Sequence, residues 1–567
     1  MKSCIKTAKH IKSWCGKMAN KNLNLLWKSF KGIRKLNTIN SDTVLGADIA
    51  HGVRLSKEKS GQERNIKSAG WFEPWDELTE PVIRLYSANL SGYTTPNQLI
   101  AFTKTNSAIN AWIITDDTLV KNPIQIATFP LATDVTDVCM TQWGDRLVMV
   151  VAFGTSNLGF VCYSATAVTG WTQMDSTGFY YRIEPITEST TNSAVTEIKR
   201  IRPYRSRLAI NGVTTYNASG AETIYGVWFS EAGNPLNFSM DYISTATDTS
   251  AFFCETGEYV NQIEEYHGLT AFCRNRSYNI TGTSQSDIAV EPLTAKGVFG
   301  NATFTMNGKC AYVDSWAKNI FTLRDNIDGT IGFDEPVGDD IQDYLEDVEN
   351  VTVNVLGRRV RMLKSSGQSL VFDVDISEWT EETFVPNARA VTFLNKEFFC
   401  NGTENVYEIT DSCGVHSQQT PNENGYYSHY RTNLIWLDSQ TSIKSHIYPF
   451  AIILEPQTSN DFYIKFTTDR GAIYEGRITR AGFSNAATYS NSDTVPEDGS
   501  QFVADDEDLT GRVFFAMSGT ELLVTVDRPP FWRYLQIDIY TTSPAQQFNI
   551  SGIEAKNTFI TDEQLDY

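Results

Sequence analysis

Three short segments carry residue types that could do chemistry, and the first is similar to a calcium-binding loop. Residues 324–335 read RDNIDGTIGFDE, which places Asn326, Asp328 and Glu335 at ligand positions of an EF-hand. A calcium loop needs a carboxylate at its first position, where this chain has Arg324, and it must follow a helix instead of a strand. Because an Asp-Gly pair is typical of a hairpin turn, we expect a turn here and no metal site.

The second segment resembles an Asp box, the hairpin that sialidase-type propellers repeat. Residues 467–474 read TTDRGAIY, and the pattern occurs once in the chain. The Asp469 side chain in such a turn accepts hydrogen bonds from backbone amides, which is a structural role. A glycosidase needs two carboxylates held across a sugar, and the many acidic residues single out no pair.

The third segment is a basic cluster just before an apolar run that begins at Leu208. Arg200, Arg202 and Arg205 alternate with other residues, and Tyr204 lies among them. Arginines beside an aromatic ring are typical of phosphate recognition. The same cluster is also what a salt-bridged junction between neighbouring sheets would need, so the sequence leaves both interpretations open.

No other pattern predicts catalysis or cofactor binding. Nucleophile-elbow, zincin, Walker and dinucleotide-binding motifs are missing from the sequence, and the six histidines have no ligand spacing. The nine cysteines are odd in number, scattered and without a CxxC pair, which favours small buried residues of a reducing compartment. We therefore expect no catalytic residue, no metal, no cofactor and no enzymatic activity.

The elements that carry these segments are short strands in pairs. The strand starts recur at intervals of about 35 to 60 residues, which suits four-stranded propeller blades. A series of β-sandwiches is the alternative. Seven pairs are predicted, namely 98–102 with 111–115, 146–153 with 160–163, 208–210 with 224–229, 269–274 with 277–282, 309–314 with 319–323, 360–363 with 369–374, and 397–401 with 405–409.

The chain divides into three predicted domains of a mainly β protein. Residues 81–424 form the propeller-like domain, interrupted by an acidic helix over 336–348 with Ile341, Leu345 and Val348 on one face. Longer alternating strands over 425–567 predict a β-sandwich-like platform. It includes a segment over 493–508 that is acidic and lacks lysine and arginine, which predicts an exposed loop.

The first 80 residues differ in composition from the rest. In the segment 1–40, apolar residues at spacings of three and four over 4–18, with lysines on the other face, predict an amphipathic helix, and residues 23–30 carry a second apolar cluster. Residues 41–80 predict an irregular connector or arm. The sequence leaves three roles open for this helix. It could pack on the protein's own body or on a neighbour, bind a membrane surface, or contact DNA. Candidate partner-binding residues are Trp14, Trp27, Lys28 and Arg34.

Charge is distributed unevenly along the chain. The net charge is −20, but residues 1–40 contain nine lysines, one arginine and no acid. The other residues therefore carry 37 basic and 67 acidic side chains, a balance of −30. An acidic body repels nucleic acid on average, which is unsuited to gripping DNA and well suited to letting DNA slide past.

The chain resembles the tail nozzle, or packaged-DNA stabilisation, proteins of short-tailed phages over about residues 80–560. The resemblance rests on RPYRSRLAINGV with IYGVWFSEAGNPLNF and the strand pair at 267–282, on KGVFGN with CAYVDSWAKNIFTL, and on FTTDRGAIYEG with FWRYLQIDIYTTSPAQQFNISGIEAK. It implies a β-propeller with an attached platform. Six copies would form a ring below the portal and the adaptor or tail-tube ring, extend the DNA channel, close it until infection, and seat fibres or spikes outside.

The expected function is therefore structural. The protein would be assembled in the host cytoplasm and reside in the virion, as a tail ring that retains packaged DNA and opens for ejection, without a membrane span. A receptor-binding or glycan-acting propeller is the alternative. Candidate channel-facing acids are Asp339, Asp340, Asp505, Asp506, Glu507 and Asp508.

Overall fold

The computed structural model describes a mainly β protein. It describes residues 21–27, 29–33, 44–57, 64–69, 71–89, 94–129, 135–144, 146–153, 158–164, 171–172, 193–195, 200–216, 223–235, 250–293, 297–298, 302–306, 309–314, 316–326, 331–333, 336–345, 351–410, 421–435, 444–446, 450–454, 460–468, 471–480, 513–518, 521–526 and 534–561.

The chain forms two compact units. The first unit comprises Met1–Trp71, Ile376–Thr383 and Asp411–Tyr567, and the second comprises Phe72–Asp375 and Phe384–Thr410. The structure thus groups the two ends of the chain in one unit, where the sequence separates 1–80 from 425–567.

Strands occupy the described N-terminal residues, in place of the predicted helix beyond residue 20 and the predicted irregular arm. They are β1 (Lys21–Trp27), β2 (Ser29–Ile33), β3 (Val44–His51), β4 (Val53–Lys57) and β5 (Arg64–Ser68). Over 21–33, which the sequence assigned to the basic helical segment, the chain forms strands instead: β1 pairs with β43 from the far end of the chain, and β2 pairs with β3 and β5. Residues 1–20 lie outside the described residues.

The second unit begins within β6 (Trp71–Glu77) and continues as a succession of antiparallel sheets. The first sheet contains β7 (Val82–Asn89), β8 (Asn97–Lys104), β9 (Ile109–Asp116) and β10 (Ile124–Phe129). The second contains β11 (Val135–Trp143), β12 (Arg146–Phe153), β13 (Leu158–Ser164) and β14 (Trp171–Thr172). The third contains β15 (Ser193–Val195), β16 (Ile201–Tyr204), β17 (Arg207–Tyr216), β18 (Thr223–Phe229) and β19 (Phe252–Glu255).

Four further sheets follow in the same order. The fourth contains β20 (Val260–Glu265), β21 (Leu269–Cys273), β22 (Ser277–Thr281) and β23 (Ala289–Pro292). The fifth contains β24 (Thr303–Met306), β25 (Lys309–Asp314), β26 (Asn319–Asp325) and β27 (Ile331–Phe333). The sixth contains β28 (Thr352–Leu356), β29 (Arg359–Leu363) and β30 (Gln368–Asp373). After β31 (Glu378–Thr383), which belongs to the first unit, the seventh contains β32 (Arg389–Phe393), β33 (Lys396–Cys400) and β34 (Asn405–Thr410), with β6 paired beside β34.

All seven predicted hairpins are confirmed. Each is formed by two consecutive paired strands of one sheet, namely β8–β9, β12–β13, β17–β18, β21–β22, β25–β26, β29–β30 and β33–β34. These strands alternate or run apolar, which is typical of strands buried in a core.

Neighbouring sheets contact each other through their inner strands. The contacts run from β7 to β11, β11 to β16, β16 to β20, β20 to β24, β24 to β28, β28 to β32, and from β32 back to β7. The last of these contacts returns the series to its first sheet.

The apolar core of the second unit lies between successive sheets. One cluster joins Ile100 and Phe102 of the first sheet to Leu147 and Met149 of the second. Another joins the first sheet to the seventh through residues that include Leu99 and Phe398. The first sheet thus buries apolar residues against both of its neighbours, the second and the seventh.

A 3-10 helix, Asp339–Leu345, stands where the sequence predicts an acidic α-helix. Ile341 and Leu345 are buried as predicted, but Ile341 has non-helical dihedral angles that break the element. Residues 346–350, which include Val348, lie outside the described residues.

The rest of the first unit consists of antiparallel strands of 3 to 13 residues. They are β35 (Ser428–Thr432), β36 (Lys444–His446), β37 (Phe450–Leu454), β38 (Asn460–Thr468), β39 (Gly471–Arg480), β40 (Val513–Ser518), β41 (Glu521–Val526), β42 (Leu535–Thr541) and β43 (Asn549–Thr561). One path of paired strands runs β2, β3, β35, β42, β38, β39, and another runs β4, β5, β43, β37, β41, β40. Strand β1 pairs with β43, which ties the two ends of the chain together.

Candidate functional site

A cavity of about 280 Å³ lies between inner strands of the second unit. Strands β7, β11, β28 and β32 contribute to its lining, together with β16 and the residue before it. The polar and titratable side chains of the lining are Arg84, Tyr86, Cys139, Thr141, Arg200, Arg202 and Thr352. Among the described residues that line the cavity, three are arginines and none carries a carboxylate.

Two of the three arginines share one buried carboxylate. Glu264 on β20 has a side chain only 1% exposed, and it pairs with Arg200 (Nη2–Oε1, 3.3 Å) and with Nη2 of Arg202. The Oγ1 of Thr303 also donates to Oε1 of Glu264, at 2.9 Å. The cluster joins inner strands of the third, fourth and fifth sheets through charge-assisted hydrogen bonds.

The Arg200 side chain is held by neutral acceptors as well. Its Nε donates to Oε1 of Gln262 at 3.1 Å, and its Nη2 donates to the carbonyl of Thr303 at 2.8 Å. Burial lowers the pKa of Arg200, the Glu264 carboxylate opposes this, and the positive charges of Arg202 and Arg84 lower it further. A guanidinium still keeps its proton in a protein, so the three arginines remain charged near one another.

The Tyr86 phenol of the lining is neutral near pH 7. Burial raises the pKa of Tyr86 to about 12, so its phenol keeps its proton. Cys139 on β11 is half-buried. Arg84 is fixed beside the same strand, because its Nε donates to the carbonyl of Val138 at 3.1 Å. The lining therefore presents positive charge and hydrogen-bond donors, the features that hold a negatively charged group.

The arginine cluster had two interpretations from the sequence, phosphate recognition and a salt-bridged junction between sheets, and the structure bears on the second. The junction interpretation is confirmed for Arg200 and Arg202, which bridge to the next sheet through Glu264. Both also line the cavity, so a junction and an anion-facing surface coexist. Arg205 lies apart, exposed and over the ring of Tyr204 at 5.4 Å.

The predicted partner-binding residues mostly lie outside the described residues. These are Trp14, Lys28 and Arg34, while the backbone of Trp27 is the last residue of β1. The predicted channel-facing residues Asp505, Asp506, Glu507 and Asp508 also lie outside them. These assignments stay predictions.

Asp339 and Asp340 begin the 3-10 helix. Asp339 is exposed, and its Oδ1 accepts a hydrogen bond from Nδ2 of Asn319 at 2.6 Å. The amide oxygen of Asn319 in turn accepts from the backbone N–H of Gly338 at 2.8 Å. The helix is thus attached to the start of β26, and its role in facing a channel stays a prediction.

Both hairpins predicted from acidic motifs occur. Strands β26 and β27 pair from Asp325 to Ile331 around the calcium-loop-like segment, and β38 and β39 pair from Thr468 to Gly471 around the Asp box. Within the described residues, no group of three or more His, Cys, Asp and Glu side chains could hold a metal ion. Nor does the described part of the chain contain a helix long and apolar enough to cross a membrane.

Sequence reasoning missed Arg84, Tyr86 and Glu264. Each lies on the inner strand of a sheet, and the hairpins singled out from the sequence are formed by other strands. A usable signal is present in VIRLYSAN, residues 82–89, where an arginine interrupts an otherwise apolar start. Which partner it meets depends on sheets that are distant in sequence.

A second polar cluster is buried in the first unit. His51 on β3 and His429 on β35 are directly opposite each other in register, and neither is exposed. The Nε2 of His429 lies 2.8 Å from Oδ1 of Asp538, which also accepts from Nε of Arg431 at 2.6 Å. Both ring nitrogens of His51 are buried and make no hydrogen bond.

Comparison with known proteins leaves the family of this chain open. No protein family and no curated protein matches it. Solved structures that align with it include BBS1N, in a complex with ARL6DN, at a TM-score of 0.34 and 10% identity, over 61% of this chain and 99% of that chain. Another is YCF48 bound to a D1 peptide, at a TM-score of 0.36 and 10% identity, over 64% of this chain and 99% of that chain. Likenesses this distant carry no argument about function.

Proposed function

We propose that this protein is a structural component of a phage tail, in which six copies form a ring around the path of the DNA. The second unit would be a seven-bladed β-propeller that gives each copy its rigidity, and the first unit would be the attached platform. The observation that carries the proposal is the succession of seven sheets whose inner strands contact in order and return to β7. Strand β6 joins the seventh sheet, which would lock a ring of blades by non-local pairing.

The link from this scaffold to a tail comes from the sequence. The passage RPYRSRLAINGV forms β16 and the start of β17, and IYGVWF completes β18. The passages CAYVDSWAKNIFTL and FTTDRGAIYEG fall on β25–β26 and β38–β39. The resemblance to tail nozzle proteins therefore follows structural elements of both units.

Charge supports the same role. Beyond residue 40 the chain carries 37 basic and 67 acidic side chains. Acidic walls repel phosphate backbones, so a ring of such subunits would let DNA move without adhering.

The DNA would pass through the bore that the six copies enclose, and not through the centre of a single propeller. A cavity of about 280 Å³ is below the size of an ordinary small-molecule pocket, roughly 300–1,000 Å³, and cannot admit a double helix. Loops of several copies would then form the constriction that retains the DNA and opens on infection. The helix at Asp339 and the acidic segment 505–508 are the candidate loops, and an adaptor or tail-tube ring and fibres or spikes are the proposed partners.

The test is the mass of the purified full-length chain by mass photometry, alone and with an extracted adaptor ring. The proposal expects an assembly of six 63.5 kDa chains in at least one of the two conditions. A closed ring must bury a head-to-tail interface on every subunit, so imaging of that assembly should show identical contacts around it. A chain that stays monomeric with the adaptor and binds glycans would overturn the proposal in favour of a receptor-binding propeller.

A further inference from the structure

We propose that an apolar patch at the junction of the first and seventh sheets binds the basic segment 1–20 of a neighbouring copy of this chain. The patch consists of Val120, Ile124, Leu394 and the ring of Trp75, and we call it the junction patch. The contact would be the head-to-tail interface of the ring, so it rests on the proposed function. Each copy would offer its patch to the segment of one neighbour and its own segment to the patch of the other.

The patch gathers most of the exposed apolar side chains of the described residues. Four large apolar side chains are exposed there, and three of them belong to the patch, namely Val120 at 62%, Ile124 at 51% and Leu394 at 36%. The fourth, Trp316, lies between β25 and β26 of the fifth sheet. Single exposed apolar residues are ordinary on a protein surface, whereas a group of them is typical of a surface that a partner covers.

The patch is contiguous because two turns meet at one ring. In the β9–β10 turn, Nζ of Lys121, the neighbour of Val120, lies 5.0 Å from the ring centroid of Trp75 on β6. Nζ of Lys396, which begins β33 after the turn that carries Leu394, lies 5.3 Å from the same centroid. The residues before Val120 and Leu394 pack in the core that joins the first and seventh sheets, so both turns are anchored.

Acidic side chains outnumber basic ones in the segments that form and flank the patch. These segments are residues 71–77, 116–124, 393–396 and 405–410. They contain six acidic residues and two basic ones, Lys121 and Lys396, a balance of −4. Lys396 already pairs with Glu408 (Nζ–Oε1, 2.6 Å). Complementary charges steer association and fix the register of an interface, so the patch favours a cationic partner.

The segment 1–20 has the complementary composition. It contains five lysines and no acid, and its apolar residues at positions 4, 8, 11, 15 and 18 predict one face of an amphipathic helix. An apolar face flanked by lysines matches an apolar patch in acidic surroundings.

The basic stretch that follows, residues 21–33, forms strands in the first unit. Strand β1 pairs with β43, and β2 pairs with β3 and β5. Strand pairing engages those residues, so the amphipathic segment before them is the part of the basic N-terminus that we assign to the neighbouring copy.

The experiment is photo-crosslinking in the full-length protein. The photoreactive residue p-benzoylphenylalanine replaces Val120 in one preparation and Trp316 in a control preparation. Each preparation is a 1:1 mixture of ¹⁵N-labelled and unlabelled copies, combined before assembly, and mass spectrometry identifies the cross-linked peptides. We expect position 120 to be joined to residues 1–20 in peptide pairs that mix the two isotopes. Position 316 should give at least tenfold fewer such pairs.

Matched variants connect the patch to association of the copies. Val120→Lys removes an apolar contact and adds a charge that repels lysines, so it should lower the association constant at least tenfold, as measured by mass photometry over a concentration series. Val120 is 62% exposed, so this variant should fold normally. Trp316→Lys, the same change at a side chain 67% exposed outside the patch, should leave the association constant unchanged.

Three results would overturn the contact. They are cross-links from position 120 to other segments or to another protein, peptide pairs of one isotope only, or equal losses of association in Val120→Lys and Trp316→Lys. The contact and the ring can fail separately. An assembly of six without cross-links from position 120 to residues 1–20 keeps the ring and overturns the contact. Mixed-isotope cross-links in an assembly of another number keep the contact and overturn the ring of six.

Discussion

Arg361 on β29 and Glu397 on β33 form an enclosed two-pronged ion pair between the sixth and seventh sheets. The Nη2–Oε2 distance is 3.1 Å and the Nε–Oε1 distance is 3.2 Å, with side chains 1% and 3% exposed. Nδ2 of Asn354 donates to the same carboxylate at 2.8 Å, and the guanidinium lies over the Phe384 ring. The pair connects two sheets at a point where neither charge reaches water.

Removing one member of this pair should destabilise the second unit strongly. We expect Arg361→Met to lower the free energy of unfolding by about 3–5 kcal/mol, because Glu397 would stay buried without its counter-ion. Urea titration followed by fluorescence measures the effect. The double variant Arg361→Met/Glu397→Leu should recover much of the loss, since it removes both charges.

The exposed pair Arg358–Asp375 provides the matched control for that prediction. Its side chains are 63% and 46% exposed, so Arg358→Met should cost no more than about 1 kcal/mol. Similar losses at Arg358 and Arg361 would show that burial does not govern the strength of these pairs.

Acid should destabilise the first unit through His51. Burial, and next the nearby His429, lower the pKa of His51 from 6.5 to about 3. The unfolded chain binds a proton below pH 6.5 while the folded chain does not until about pH 3. Stability is therefore lost as pH falls through this window, by roughly 4–5 kcal/mol at its lower end.

The variant His51→Leu cannot take up that proton. The melting temperature, measured from pH 7 to pH 4, should therefore fall less steeply with acidification for His51→Leu than for the unmodified protein. Parallel slopes for His51→Leu and the unmodified protein would exclude His51 as the source of the acid sensitivity.

Phe72 on β6 should be a main anchor of the seventh sheet. It is fully buried, and its ring contacts Phe384, Phe399 and Tyr407 at centroid distances of 5.2–5.7 Å. Truncation by Phe72→Ala should cost about 3–5 kcal/mol, because it leaves a cavity in a packed aromatic cluster.

Limited proteolysis provides the second readout for Phe72→Ala. Cleavage should appear first near β6 and β34, since the strand that joins the seventh sheet would be loosened. Trp316→Ala removes a larger ring that is 67% exposed and should change neither stability nor the cleavage pattern. An unchanged digest of Phe72→Ala would contradict a locking role for β6.

The sequence was sufficient for the elements whose partners are close along the chain. All seven hairpins follow from local alternation and turn residues, because each strand pairs with the next one after a short loop. The junction role of Arg200 and Arg202 was also readable as one of two alternatives, since arginines at the start of a buried strand need acceptors.

Distant pairings were decided by tertiary structure alone. Strand β1 pairs with β43, and β6 joins the sheet of β34, so residues predicted as helix and arm became strands. The carboxylate that meets Arg200 and Arg202 stands on β20, 62 residues or more away. Local alternation of apolar and polar residues specifies that a strand forms. Which strand it pairs with, and which charge it meets, depends on contacts between residues distant in sequence, and these form only when the whole series of sheets is assembled.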